Sequence, residues 1–258
     1  MISVVIPVFN QVQLTERCLD SLFRHSRKVS SVFIIDNASS DDTPQALARW
    51  AERFHSKGIA FKVQRNRENV GFGRACNQGL RECKTEYVAV LNNDTWLMPD
   101  WDEALLAAII RTGADLVGPF YDEIAFNEAI VIQRSEIVTT KNRNRSRENF
   151  VSILMFFKMS SLQKLGFFDE RFFVTYEDTD LKYRMDLMNM RYLMVGNCYI
   201  WHHSKGTRGA NALPNNYEQE GLRLFMEKWG FDPRQQEHTV GAKLKKAWRK
   251  RKAKFLWI

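Results

Sequence analysis

No stretch of this 258-residue chain approaches the ~18 consecutive apolar residues that a membrane-spanning helix requires. Nor does a basic segment precede an apolar core at the N-terminus, which runs straight into strand-like sequence, so a signal peptide is not expected. Cysteine is scarce: Cys18, Cys76, Cys83 and Cys198 are the four, and none sits in a CxxC metal spacing. Cys76 and Cys83 lie two turns apart on one helical face, a spacing that points to buried packing. A reducing cytoplasm suits all of this. The glycine fingerprint of dinucleotide-binding proteins is missing after the first strand, where Pro7 and Asn10 stand instead; this counts against a dehydrogenase. No internal repeat is present. Most of the chain also lacks surplus charge. The net charge of +8 equals the eight Lys and Arg of residues 242–258, and the remainder balances 30 basic against 30 acidic residues. The body is therefore no general polyanion binder, and no nucleic-acid partner is expected.

What is present is an alternation of apolar runs and helical patterns. Strands are expected at 2–8, 32–36, 60–65 and 87–91, with a fifth ending at Asp115-Leu116-Val117-Gly118-Pro119. Helices fit between them: Leu14, Cys18, Leu22 and Phe23 share one face, and Thr43-Pro44 opens a segment carrying Leu47, Trp50 and Phe54. Further helices are expected at 71–83 and 100–111. Such βαβ alternation predicts an α/β fold on a parallel sheet with right-handed crossovers. Beyond Pro119 the pattern degrades. Residues 139–149 read as an exposed polar and basic loop, 153–157 as a buried strand and 176–188 as a helix. Residues 192–195 and 199–201 read as two short strands. The second half looks like an elaboration sharing the first half's core.

The most informative stretch is Tyr87-Val88-Ala89-Val90-Leu91-Asn92-Asn93-Asp94. A buried-type strand runs into two carboxamides and a carboxylate at its carboxyl end, where open α/β sheets place their ligands. Asp94 offers a hard oxygen to a divalent cation such as Mg²⁺; alternatively the triplet is a strand-ending turn. Gly71-Phe72-Gly73-Arg74 opens a helix whose free amides favour an anion, and Arg74 adds a charged donor. Glycines also serve ordinary turns, so this motif alone is weak.

The motifs fall in a fixed order. Ile2–Asn10 comes first, then Val32-Phe33-Ile34-Ile35-Asp36-Asn37, then Asn69-Val70-Gly71-Phe72-Gly73-Arg74-Ala75-Cys76-Asn77, then the Asn92 triplet. Gly166-Phe167-Phe168-Asp169-Glu170, Tyr176-Glu177-Asp178-Thr179-Asp180-Leu181 and Trp201-His202-His203 follow. In this order the chain resembles the family 2 inverting glycosyltransferases of GT-A fold, most of all their bacterial rhamnosyltransferase-like subgroup, over roughly residues 1–205. The resemblance implies a Rossmann-like, mostly parallel sheet flanked by helices, with the acceptor side in the second half. One departure stands out: the family's metal triplet is often Asp-x-Asp, and its first position here is Asn92.

The resemblance also implies roles. Pro7, Val8, Phe9 and Asn10 would line the base pocket, and Asp36 would accept hydrogen bonds from base or ribose, although an Asx-turn role is the alternative. Gly71 and Arg74 would face the phosphates, and Asn69 would belong to the same donor-binding set. Asp94 would hold Mn²⁺ or Mg²⁺ against the nucleoside-diphosphate sugar, with Asn92 and Asn93 beside it, Asn93 near ribose or metal-bound water. His202, 24 residues after Asp178, is the candidate second ligand, and its imidazole suits Mn²⁺ better than Mg²⁺. His203 is its rival, and strand alternation allows only one of them to reach the site; a structural histidine is the other reading. Asp178 would be the general base and Glu177 would position the acceptor hydroxyl. A neighbouring carboxylate raises proton affinity. The same acids also suit the first turn of a helix.

These readings predict a catalytic unit over 1–230, with a nucleotide-sugar half (1–118) and an acceptor half (119–230), followed by a tail over 231–258. In the tail Leu244, Ala247, Trp248 and Phe255 share a helical face amid the cations, interrupted by Arg251. This suits an interfacial anchor on anionic lipid at the inner face of the cell membrane. A nucleic-acid arm or a solvated tail are the alternatives. The expected activity is transfer of one sugar to a glycan or lipid-linked glycan in bacterial surface polysaccharide synthesis. A nucleotidyltransferase making the sugar donor, or a non-catalytic glycan-binding scaffold, are the rival readings.

Overall fold

The apolar runs of the first half form parallel strands, and the amphipathic segments between them form the crossovers. A computed structural model describes residues 1–142, 145–203 and 216–238. Along the first half run β1 (Ile2–Val8), α1 (Val12–His25), β2 (Val29–Asp36), α2 (Thr43–Ser56), β3 (Ala60–Arg65), α3 (Phe72–Glu82) and β4 (Tyr87–Leu91). β1 pairs in parallel with β2 on one side and β4 on the other, and β3 extends the sheet beyond β2. Every residue of β1 is buried, as expected of a strand covered on both faces. Alternation divides its side chains. Val4 and Ile6 join the cluster containing Leu19, Trp50 and Phe54, whereas Val5 joins the one containing Cys76, Leu80 and Leu181. All four cysteines are free and buried, and burial pushes the Cys18 and Cys83 thiols up to about 12 and about 11. They pack and do not react.

The second half completes the same sheet. It contributes β5 (Thr95–Leu97), α4 (Trp101–Thr112), β6 (Leu116–Asp122), α5 (Glu128–Asn142), β7 (Ser146–Arg147) and β8 (Leu154–Lys158). After these come α6 (Met159–Leu165), α7 (Glu177–Leu187), β9 (Tyr192–His202) and α8 (Tyr217–Trp229). The strand order is β3-β2-β1-β4-β8-β6-β9-β5, with β7 attached to β9. The sheet is mixed: β8 runs antiparallel between β4 and β6, and β5 and β7 run antiparallel to β9.

Three sequence expectations need correction here. The fifth strand does not stop at Pro119 but continues to Asp122. Pro119 has no N–H to give the ladder, and the register shifts there: Pro119 opposes Val195 while Phe120 opposes Tyr199. The skipped residues 196–198 bulge, so the two short strands expected at 192–195 and 199–201 are one strand, β9. The exposed loop expected at 139–149 is, in its first part, the end of helix α5. That helix has little amphipathic pattern and leaves Ile130, Ile132 and Ile137 exposed, which is why its sequence did not announce it. Among the described residues no helix is long and apolar enough to cross a membrane. The basic amphipathic segment 242–258 lies outside the described residues.

Candidate active site

A cleft of about 370 Å³ opens where the strands of both halves end. Of the residues singled out by sequence, Pro7, Val8, Phe9, Asn69, Gly71, Asn92, Asn93, Asp94, Glu177, Asp178 and His202 line it. Asn10, Asp36, Arg74 and His203 do not. Asp36 is buried at the end of β2, where its Oδ1 accepts the Ser39 N–H at 2.8 Å and its Oδ2 lies 3.4 Å from Arg65 Nε. Asn10 Oδ1 accepts the Ser40 N–H at 2.7 Å, joining the ends of β1 and β2 behind the cleft. The exposed Arg74 guanidinium turns to Glu170, 3.4 Å away.

Gly71 is placed by contact as much as by conformation. Its φ is +87°, a left-handed value that favours glycine, and a Cβ there would lie 2.3 Å from the Phe173 carbonyl. Next to it, the Phe72 N–H donates to that carbonyl at 2.7 Å, so the start of α3 and the segment before α7 meet across the cleft. Asn37 holds the Asn69–Gly71 turn: its amide donates to Asn69 Oδ1 at 2.7 Å, and its Oδ1 accepts the Val70 N–H at 3.1 Å.

The Asn92-Asn93-Asp94 triplet is both a turn and a cleft wall. Thr95 Oγ1 donates to the Asn92 carbonyl at 2.8 Å, and Asn93 Nδ2 donates to Thr15 Oγ1 at 2.9 Å. The carboxylate of Asp94 is left facing the cleft. Its Oδ1 is buried, accepts no hydrogen bond, and lies 3.3 Å from His202 Nε2. His202 comes from the last residue of β9, which pairs with Thr95 of β5. Between the rival histidines, His202 lines the cleft, whereas the His203 ring is exposed and only its amide reaches Asp94, at the carbonyl.

The Asp94–His202 pair fits a divalent cation. Two donors that each lie ~2.1 Å from an octahedral ion at right angles stand ~3 Å apart, close to the observed 3.3 Å. An orphaned buried carboxylate oxygen is a costly feature without a cation to meet it. Among the described residues no three His, Cys, Asp or Glu side chains converge, so water and donor phosphates would complete the shell, as Mg²⁺-type sites commonly allow. Burial disfavours the imidazolium of His202, yet Asp94 and Glu123 outweigh it and hold its pKa above the ordinary value.

Opposite stands the first turn of α7. Tyr176, in the left-handed region at φ 66°, turns the chain so that buried Glu177 and half-buried Asp178 line the cleft. Thr179 donates to Asp178 from its N–H (2.6 Å) and hydroxyl (3.2 Å), and both bonds fall on Oδ1. Two turns of charge hold the helix from behind. Fully buried Asp180 receives Arg184 Nε at 2.8 Å, Lys228 Nζ at 2.6 Å and the Trp229 indole at 2.9 Å. Lys228 also reaches Asp169 at 2.7 Å. Helix α8 is thereby bolted to α7 and to the 167–172 segment.

Sequence reasoning missed Asn37, Tyr121, Glu123, Ser152, Ile153, Phe173 and Val174, all of which line the cleft. Tyr121 and Glu123 had a usable signal, an acidic stretch just past a strand, but the strand was ended early at Pro119. Ser152 and Phe173 sit on turns with no pattern to mark them.

A family model described as "Glycosyl transferase family 2" matches residues 3–172. Glycosyltransferase GlyA of Streptococcus pneumoniae serotype 4 is 30% identical over 129 residues, which are 50% of this chain and 17% of that protein. Glycosyltransferase GlyG of the same organism is 20% identical over 242 residues, 88% of this chain and 79% of that protein. Among solved structures, a mannosyltransferase from Pyrobaculum calidifontis in complex with GDP-Man and Mn²⁺ superposes with a TM-score of 0.65 at 20% identity, covering 94% of this chain and 68% of that one. That likeness is one of fold.

The α7–α8 hub makes a stability prediction. Lys228→Ala strips a cation from buried Asp180 and should cost about 3 kcal/mol, several degrees in Tm. Burial opposes the ionisation of Asp169, but Arg171 and Lys228 outweigh it and hold the carboxyl well below its usual range. A depressed carboxylate adds stability above its unfolded value of ~3.9 and loses it as pH falls toward the folded value. The unfolded value is common to parent and variant, so urea unfolding should show the full gap at pH 7. The gap should shrink only once the pH falls below the value Asp169 takes in the variant, which Arg171 still holds down. A gap that stays constant down to the lowest pH at which both proteins still fold would contradict this.

Proposed function

Because the chain belongs to glycosyl transferase family 2 through residues 3–172, we propose that it transfers one sugar from a nucleoside-diphosphate donor to the hydroxyl of a glycan or lipid-linked glycan, inverting the anomeric centre. The observation that carries this reading is the convergence of Asp94, His202, Glu177 and Asp178 on one cleft from opposite halves of the chain. Residues 1–118 would hold the donor and 119–230 the acceptor, as a single unit; the shared sheet and shared cleft support this division of labour.

In this reading the nucleotide lies along the ends of β1 and β2, against Pro7, Val8, Phe9 and Asn69. Asp36 and Asn10 act one step back by holding the loops that shape this wall. The diphosphate meets the Asp94–His202 pair beside the Gly71 turn; the Val70, Gly71 and Phe72 amides, which the sequence offered as free donors, are bonded within the protein instead. Asp94 and His202 would hold Mn²⁺ or Mg²⁺, which supplies counter-charge to the leaving phosphates. Asp178 accepts the proton of the acceptor hydroxyl while that oxygen bonds the anomeric carbon and the bond from that carbon to phosphate oxygen breaks. Thr179 fixes Oδ1, so Oδ2 is the oxygen that takes the proton. Glu177 orients the hydroxyl. Arg74 reaches a phosphate only if it leaves Glu170.

The pathway belongs to the same proposal: assembly of a bacterial surface glycan. Residues 242–258 would hold the enzyme at the inner face of the membrane, since the rest of the chain carries no net charge to do so.

Asp94→Ala should abolish most turnover and remove the metal dependence of nucleoside-diphosphate binding with the fold intact. Asp178→Asn should slow transfer ~10²–10⁴-fold while donor and metal binding stay nearly unchanged. Nucleotide release and calorimetry separate the two. Retained metal dependence in the first variant, or lost donor binding in the second, would reassign these residues. Deleting residues 242–258 should release the protein from anionic vesicles but spare activity on a short soluble acceptor. Equal vesicle binding by both forms would rule out the anchor.

A further inference from the structure

Glu123 stands just beyond β6, beside the ring that faces Asp94. Its Oε1 lies 3.0 Å from His202 Nδ1, while Nε2 of the same imidazole lies 3.3 Å from Asp94 Oδ1. A carboxylate on Nδ1 takes that nitrogen's proton as a hydrogen bond and leaves Nε2 bare, the form in which an imidazole binds metal. Glu123 cannot itself share a cation with Asp94 here, because it meets the opposite nitrogen.

The segment that carries Glu123 is built. Trp201 Nε1 donates to the Ile124 carbonyl at 2.7 Å. Phe126 packs edge-on against Trp201 and Trp96, with centroids 4.7 and 5.5 Å away, and the Arg17 guanidinium covers its ring at 3.9 Å. Behind them Val131 is fully buried. The Glu123 side chain is 44% exposed, so the ion pair itself contributes little stability. These contacts fix the backbone that follows Glu123, and so fix where its carboxylate can reach, although the pair itself is energetically cheap. The neutral Asn92 adds a reason, since it leaves the triplet with one carboxylate and Glu123 supplies a second negative charge one ring away.

We propose that Glu123 is a positioning residue, fixing His202 in the Nδ1–H tautomer with Nε2 turned toward Asp94. The metal part of this inference rests on the reading of the site given above. The test uses the full-length protein and two variants, Glu123→Ala and Glu123→Gln; glutamine keeps an oxygen that can accept from Nδ1–H. In metal-free protein at a pH where imidazole is neutral, nitrogen NMR of His202 should report Nδ1–H in the parent and the Gln variant. In the Ala variant the population should move toward Nε2–H. Calorimetry with Mn²⁺ and UDP should show binding about 10–100-fold weaker in the Ala variant and within a few-fold of the parent in the Gln variant. An Ala variant with unchanged tautomer and unchanged Mn²⁺ affinity would overturn the proposal. A parent that binds no Mn²⁺, with the tautomer still switching on removal of Glu123, would support the hold on His202 and remove the metal reading instead.

Discussion

The His203 amide donates to the Asp94 carbonyl over 2.9 Å, closing the short antiparallel pairing between β5 and the end of β9. On this bond the candidate site depends, because it sets the register in which a residue of the second half meets the strand-end carboxylate of the first. Side chains alternate along a strand. With His203 serving through its backbone, His202 must turn into the cleft, while the His203 ring lies over Trp201 with centroids 5.7 Å apart. A slip of one residue would exchange the two imidazoles. The register is secured by burial: Trp96 and Trp201 oppose each other in the same pairing, and both are nearly inaccessible.

The α7 wall of the cleft obeys a different constraint. Its chemistry sits on the first turn of a helix with almost no amphipathic pattern, so ordinary packing of an apolar stripe cannot orient it. Charge does so instead. Asp180 is fully buried among Arg184, Lys228 and Trp229, a geometry in which ionic groups contribute orientation more than net stability. α8 comes close enough that a Cβ at Gly221 would stand 2.4 Å from Thr175 Oγ1. Asn77 completes the frame by bonding the Phe168 backbone in both directions, donating at 2.9 Å and accepting at 3.0 Å. One wall of the cleft is thus set by strand ends and the other, on α7, by a buried polar hub.

Much of the first half was legible because its signals are local. β1 to β4 read as apolar runs, α2 as a Thr-Pro start, and the residues just past each run as cleft candidates, of which Asp94, Asn69 and Pro7 do line it. The rest resisted for identifiable reasons. β8 lies between β4 and β6 though it comes later in the chain, and nothing local encodes that insertion. α5 lacks a helical stripe because its isoleucines face outward, whereas α7, expected at 176–188, is found at Glu177–Leu187 even though its inner face is ionic. Pro119 looked like a stop, and accepting it hid Tyr121 and Glu123. Arg74 was read from charge and helix position alone, whereas its direction depends on Glu170, far along the sequence. Side chains whose orientation is decided by a distant partner are the ones that local pattern leaves undetermined.

In the proposed mechanism Asp94 and His202 act together at the leaving diphosphate. Crystals of the full chain grown with UDP and Mn²⁺, measured at the manganese absorption edge, would test this directly. The account predicts one anomalous peak in the cleft, ~2.1 Å from both Asp94 Oδ1 and His202 Nε2, with both phosphates on it. A diphosphate bound in the cleft with manganese elsewhere, or with His202 turned away from the ion, would contradict it.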